Sequence, residues 1–348
     1  MKTRHLIMSC RVIFVVLLGS LLLANPLAAQ STKDFFSGKT ITLIVGSSAG
    51  GGTDNAARLI GRHIGKHIPG NPRINVSNMA GAGGMRAANH LYNRVDPDGL
   101  TWSTMNTGAL YGKATGNTAL KFDLEKFIFL GQAYDEAQAM YVRSATPYTS
   151  FDAIKKANKE GKKPKMGAQA KAHSSNVVVK IVEEIMDVEF EVVYGYPGTP
   201  EILLDIERGA LDGRSQGTGS LLSTKRDWID SKFIKLLVTS KSTRDERLPE
   251  LPSISELAPA GKKPYLAALF ASQFIGRSIV MPPKVPADRV KVLRDAFAAT
   301  VKDPEFLKEA EKLGFEIELI RGEEMNRDIE ETLNDKKLMA LYKKILTD

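Results

Sequence analysis

Two consecutive units of strand, glycine loop and helix near the start of the chain restrict its fold more than any other feature. An apolar run at 41–45 enters the loop Ser47-Ser48-Ala49-Gly50-Gly51-Gly52. Thr53 and Asp54 then open a helix whose Ala56, Leu59, Ile60, Ile64 and Ile68 recur at helical spacing. A second strand at 73–77, the loop NMAGAGGM and a helix over 85–94 follow at once. The turn DPDG at 96–99 precedes a third strand at 100–105. Successive βα units with glycine at the turn predict an α/β fold, a parallel sheet with helices on both faces.

The pattern restarts after Val142. Ser150 is placed to cap a helix over 151–159, with a short strand at 165–167 and a helix through Val177, Val178, Ile181, Val182 and Ile185 beyond it. A strand at 189–193, the turn YGYPGTPE, a helix at 202–208 closed by Gly209 and a buried strand at 234–239 complete the series. From Pro286 onward the chain reads as mostly helical scaffold, with Val290, Leu293, Phe297 and Val301 on one stripe. Its length suggests two domains.

A glycine loop feeding a helix N-terminus offers free N–H groups and the positive end of a helix dipole, a seat for an anion. Neither loop is a nucleotide motif. A P-loop needs lysine directly after its last glycine, and Gly52 is followed by Thr53. Counted from Gly81, the dinucleotide fingerprint puts Arg86 where a small residue must allow close helix packing. A carboxylate held by main-chain groups and waters suits both loops better than a triphosphate.

The first residues supply context. Lys2, Arg4 and Arg11 precede an apolar run over 12–24, and Pro26, Ala28 and Ala29 follow, which reads as a secretory signal peptide at 1–29, cleaved after Ala29. An uncleaved anchor and lipidation of Cys10 are the alternatives. Cys10 is the only cysteine, so the mature chain has neither a disulfide nor a thiolate site. The net charge of +8 falls to +5 once Lys2, Arg4 and Arg11 are removed. The surplus is scattered in short pairs such as Lys155-Lys156, Lys162-Lys163 and Lys336-Lys337, with no basic stripe for nucleic acid.

The segments SSAGGGTDNAARL, AGAGGMRAAN and DPDGLTW resemble the N-terminal signature of the Bug-type solute receptors of tripartite tricarboxylate transporters. YTSFDAIKKA, VVYGYPGTPEILLDIERGALD, LLVTSKSTRDERLPELPSISEL and PPKVPADRVKVLRDAFAATVKDPEFLKEAEKLGFE continue it in order over nearly the whole mature chain. The resemblance implies a two-domain, type II periplasmic-binding-protein (Venus flytrap) architecture, Rossmann-like domains joined by a hinge, with ligand in the cleft. Residues 30–134 and 274–348 would form domain I, and 135–273 domain II.

It implies a periplasmic receptor, monomeric and not an enzyme, that binds a small organic carboxylate without cofactor or metal and delivers it to membrane permease subunits. Its loops carry the ligand-binding role onto Ser47, Ser48, Ala49, Gly50, Gly51, Gly52 and Thr53, and onto Ala80, Gly81, Ala82, Gly83 and Gly84. The opposing domain would add the loop from Gly167, with Gln169 and Ser174, and contacts near Tyr194 to Thr199. This chain departs from the family pattern at Lys171, His173 and Arg214, from which we expect a ligand with a second anionic or strongly polar group; the alternative is that Lys171 and Arg214 face solvent or pair with acids.

Several residues carry two readings. Asp54 is either a contact for an amine on the ligand or an acid that favours the first helical turn. Arg86 is a ligand contact or a salt-bridge partner, and Tyr194 and Tyr196 line the cleft or pack the domain. His63 and His67 have zinc-compatible spacing but no third ligand nearby in sequence. The rival function is an exported hydrolase, which would need a serine or threonine nucleophile beside a histidine base. A purely structural or adhesive role leaves the glycine loops unexplained.

Overall fold

A computed structural model describes residues 35–347, so the signal-peptide and Cys10 readings lie outside the described residues. Among the described residues eleven strands fall into two sheets. They are β1 Thr40–Val45, β2 Arg73–Asn78, β3 Thr101–Met105, β4 Ile128–Tyr134, β5 Gln138–Arg143, β6 Lys165–Gly167, β7 Glu191–Val193, β8 Gly213–Gly217, β9 Ile234–Thr239, β10 Ser278–Met281 and β11 Ile317–Arg321. The main helices are α1 Gly52–Ile64, α2 Met85–Arg94, α3 Gly108–Ala114, α4 Phe151–Lys159, α5 Ser174–Met186, α6 Thr199–Arg208, α7 Thr218–Asp230, α8 Lys263–Ala271, α9 Ala287–Thr300, α10 Pro304–Lys312, α11 Gly322–Asn334 and α12 Lys336–Thr347. None of the described helices is long and apolar enough to cross a membrane.

The first sheet runs β11-β4-β10-β3-β1-β2 and the second β7-β6-β8-β5-β9. The βα units of the sequence are present: β1 pairs parallel with both β2 and β3. The all-parallel expectation needs correction, because β10 runs antiparallel between β3 and β4, and β5 is antiparallel to β8 and β9. From Pro286 onward the chain is mostly helical, as expected, apart from β11; that five-residue strand and the four-residue β10 ahead of Pro286 are too short to leave a periodic signature.

Local signals act as their chemistry dictates. Ser150 accepts a hydrogen bond from the Ala153 amide and caps α4. Gly209 ends α6 in the left-handed region at φ 80°. Ile41, Leu43 and Val45 of β1 pack with Ala56, Leu59, Ile60 and Ile64 of α1 and with Leu293 and Phe297 of α9 in the first unit's core. Ala139 and Tyr141 pack with Ile202, Ile206, Leu211 and Trp228 in the second. The chain passes between the sheets at residues 135–137, and again between β9 and β10.

Candidate functional site

The two glycine loops lie against each other at the ends of β1 and β2. A Cβ on Gly46 would stand 2.9 Å from the Gly84 Cα, so the contact between the loops requires glycine at 46. The Gly46 amide donates to Thr104 Oγ1 on β3 at 3.1 Å. In the second loop Gly81, Ala82, Gly83 and Gly84 all have positive φ, and Asn106 donates to the Gly83 carbonyl at 2.8 Å. Asp54 folds the first loop: its carboxylate accepts from the Gly50 amide (2.9 Å), Asn78 (2.9 Å) and Arg58 (2.8 Å). Burial opposes its ionisation, but the bonds from Arg58, Gly50 and Asn78 prevail and hold its pKa below the ordinary value.

Across from these loops the second unit closes tightly. A Cβ on Gly52 would fall 1.9 Å from Ser220 Oγ and 2.6 Å from its Cα, and one on Gly198 would fall 1.9 Å from Ser48 Oγ. Ser48 Oγ donates to Glu201 at 2.9 Å. Gly83 meets Ala170 and His173. Behind them Arg247 donates to the Gly314 carbonyl, and Lys241 and Arg247 stand among Asp135, Asp245 and Glu316, tying the units together.

The cavity between them, about 40 Å³, is lined largely by polar side chains. Of the residues expected in the site, Ser47, Thr53, Gln169, His173, Ser174, Thr199 and Arg214 line it. Ala82, Gly83 and Lys171 instead line a second, outer cavity of about 530 Å³, with His173 on the wall of both. Lys171 is exposed, and Asn176 fixes its loop by donating to its carbonyl at 2.7 Å. Tyr194 donates to Asn176 at 3.1 Å, bracing that loop without reaching either lining. Ala49 and Gly50 are exposed, Gly51 packs on Thr199, and Ala80, Gly81 and Gly84 lie outside both linings. Arg86 is exposed and donates to the Ala80 carbonyl, while Tyr196 donates to Asp205 at 2.6 Å.

Arg214 dominates the charge of the cavity. Only 2% exposed, it donates from Nε to the Ser215 carbonyl at 3.1 Å, and its Nη1 has no hydrogen-bond partner. No carboxylate pairs with it among the described residues. Burial lowers its pKa from the ordinary value. Ser47 Oγ is also buried without a hydrogen-bond partner among the described residues. Sequence reasoning missed Glu136, Gln138, Ser220 and Arg277, all of which line the cavity. Arg277 Nη1 lies 2.9 Å from Glu136 Oε1, an ion pair by distance whose direction does not make a hydrogen bond. Burial pushes Glu136 up to about 7, opposed by Arg277 and reinforced by Asp135. The available signal was a charged residue flanking an apolar run, in YDEAQAM and IGRSIVM.

His173 accepts the Ser175 amide at Nδ1 (3.1 Å), capping α5. Burial, then Arg214 and Arg277, push its pKa down to about 3, so it is neutral with its proton on Nε2. So weak a base cannot activate a serine near neutral pH, and the hydrolase reading lacks support. His63 and His67 face acids of α10 and its cap, Glu309 at 2.7 Å and Asp303 at 2.9 Å. What the cavity can do is hold an anion by charge-assisted contacts among largely buried side chains.

The model of the family described as "Tripartite tricarboxylate transporter family receptor" matches residues 57–345. A UPF0065 protein from the TAR-I ttuE-ttuC' intergenic region of Agrobacterium vitis is 24% identical over 310 residues, covering 88% of this chain and 83% of that protein. The periplasmic binding protein BugD superposes with a TM-score of 0.73 at 19% identity, over 89% of this chain and 98% of BugD. MatC from Rhodopseudomonas palustris, with bound malate, gives 0.71 at 18% identity, over 89% of this chain and 100% of MatC. An R. palustris protein with adipate gives 0.72 at 20% identity, over 88% and 98%. These likenesses show a shared fold.

Proposed function

The chain belongs to the tripartite tricarboxylate transporter receptor family, and from that premise we propose that it is a periplasmic solute receptor whose cleft closes on a small dicarboxylate. The unpaired, buried guanidinium of Arg214 carries this reading. One carboxylate of the ligand sits on the first loop, near Ser47 and Thr53, and the second takes Arg214. His173 contributes a neutral Nε2–H donor. That relatives of this fold have been solved with malate and with adipate supports a diacid.

Capture in the open cleft is followed by hinge closure between one unit of residues 30–134 with 274–348 and another of 135–273, an equilibrium the ligand shifts through its preference for the closed form. The two passages of chain between the sheets support that division. The closed monomer is then presented to membrane permease subunits. Thermal unfolding against mono-, di- and tricarboxylates tests the reading. A dicarboxylate at about 100 times its Kd adds about 2.7 kcal/mol and raises Tm by several degrees. Equal shifts from monocarboxylates, or none from any diacid after refolding from denaturant to remove carried-over ligand, would reject it.

A further inference from the structure

We propose that the receptor takes up its dicarboxylate together with one proton, which passes from solvent to the side chain of Glu136. The proposal rests on the dicarboxylate reading above. Glu136 lies in the passage between β4 and β5, 9% exposed, on the wall of the inner cavity. Its place is built for a glutamate: a Cβ on the facing Gly276 would come within 2.1 Å of Glu136 Cγ and 2.4 Å of Cδ.

The charges around it can be counted. Arg277 faces Glu136 across the second passage of chain at 2.9 Å, yet Oε1 and Nη1 are both left without a hydrogen bond. Arg214 on β8 has no acid paired with it among the described residues. His173, at the cap of α5, is neutral. Tyr111 of α3, which shares a small cavity with Glu136, donates its hydroxyl to Ser272. Asp135, next in sequence, is turned to Arg247 and Lys241, each at 3.4 Å.

The cavity therefore carries +1 with Glu136 ionised and +2 with it protonated. A dianion leaves −1 in the first case and zero in the second. Uncompensated charge in a site with little water is the costlier arrangement, so the protonated state accompanies the diacid. The glutamate is prepared for this, since burial has already moved its pKa up to about 7, and a second negative charge beside it moves it further. Once protonated, its O–H becomes a donor to the bound carboxylate.

The test is calorimetric titration of the whole mature protein with malonate, succinate, malate, glutarate and adipate. Each is run at pH 6.5 and 8.5 in two buffers of different ionisation heat. The diacids that bind should take up close to one proton each at pH 8.5 and bind about twentyfold more weakly there than at pH 6.5. Glu136→Gln should abolish the uptake and bind more tightly than wild type at pH 8.5, whereas loss of a merely structural side chain would weaken binding at both pH values. Should that variant fail to fold, the proton count on the wild-type protein decides alone. Binding with no proton uptake and equal affinity at the two pH values overturns the inference and leaves the dicarboxylate reading intact. Failure of every diacid at both pH values overturns both.

Discussion

Arg214 puts a full charge where no carboxylate among the described residues pairs with it, an arrangement that costs stability in the empty receptor and is offset only when an anion arrives. Arg214→Met should therefore move two measurements in opposite directions. Affinity for dicarboxylates should fall by about 1.5–3 kcal/mol, tenfold or more, as a charge-assisted contact is lost. The ligand-free protein should unfold at the same or a higher temperature. Calorimetry and thermal melting check the pair, and a variant that is both weaker in binding and markedly less stable would mean a structural role. The residue was visible in the sequence because DGRSQGTGS places charge in a buried strand. Its neighbours Glu136 and Arg277 were not, because they lie far apart in the chain and meet only where it passes between the sheets. Lys171 was equally visible as a charge, but the bond from Asn176 to its carbonyl fixes a loop whose lysine stands on the outer cavity.

At the level of elements, the N-terminus of α1 is both a ligand platform and a packing surface. Gly52 touches Ser220 so closely that an added methyl would meet its Cα as well as its hydroxyl, and no rotamer change relieves that. Its φ is not left-handed, and alanine is a better helix former than glycine. Gly52→Ala is thus expected to leave the ligand-free Tm unchanged or slightly raised while weakening diacid binding at least tenfold, because only the closed form contains the clash. Small-angle scattering should show that the variant stays open at ligand concentrations that compact the wild type. The elements around this loop were the legible part of the fold, since β1, α1, β2 and α2 alternate period and carry their glycines at the turns. Strand β8 reads poorly as a strand because Arg214, Ser215 and Gln216 line the cavity, and β10 because four buried residues between two strands show no alternation.

Over the whole molecule, two cavity groups pull stability in opposite directions as pH changes. His173 has a folded pKa of about 3 against an ordinary 6.5, so the native state binds fewer protons and loses stability as pH falls through that window. Glu136, at about 7 against 4.5, makes the native state hold an extra proton and lose stability as pH rises from 4.5 to 7. Between pH 4.5 and 6.5 the two nearly cancel. Below 4.5 His173 acts alone of the pair, in the same direction as carboxylates held below their ordinary pKa such as Asp54 and Asp245. Urea unfolding from pH 7 to 3 should show a plateau and then a steep fall. His173→Gln should recover about 2 kcal/mol of the loss between 4.5 and 3.

The two passages of chain between the sheets also bear on how the molecule comes to exist. The second sheet is drawn from the unbroken stretch 138–239, while the first needs β10, from residues 278–281, seated between β3 and β4. A polypeptide emerging from its N-terminus exposes β1 to β4 early but leaves them with a gap that a strand from the last quarter must fill. The later half is then the first able to reach its final form, and the half begun first must wait, open along the edges of β3 and β4, until nearly the entire length has been delivered.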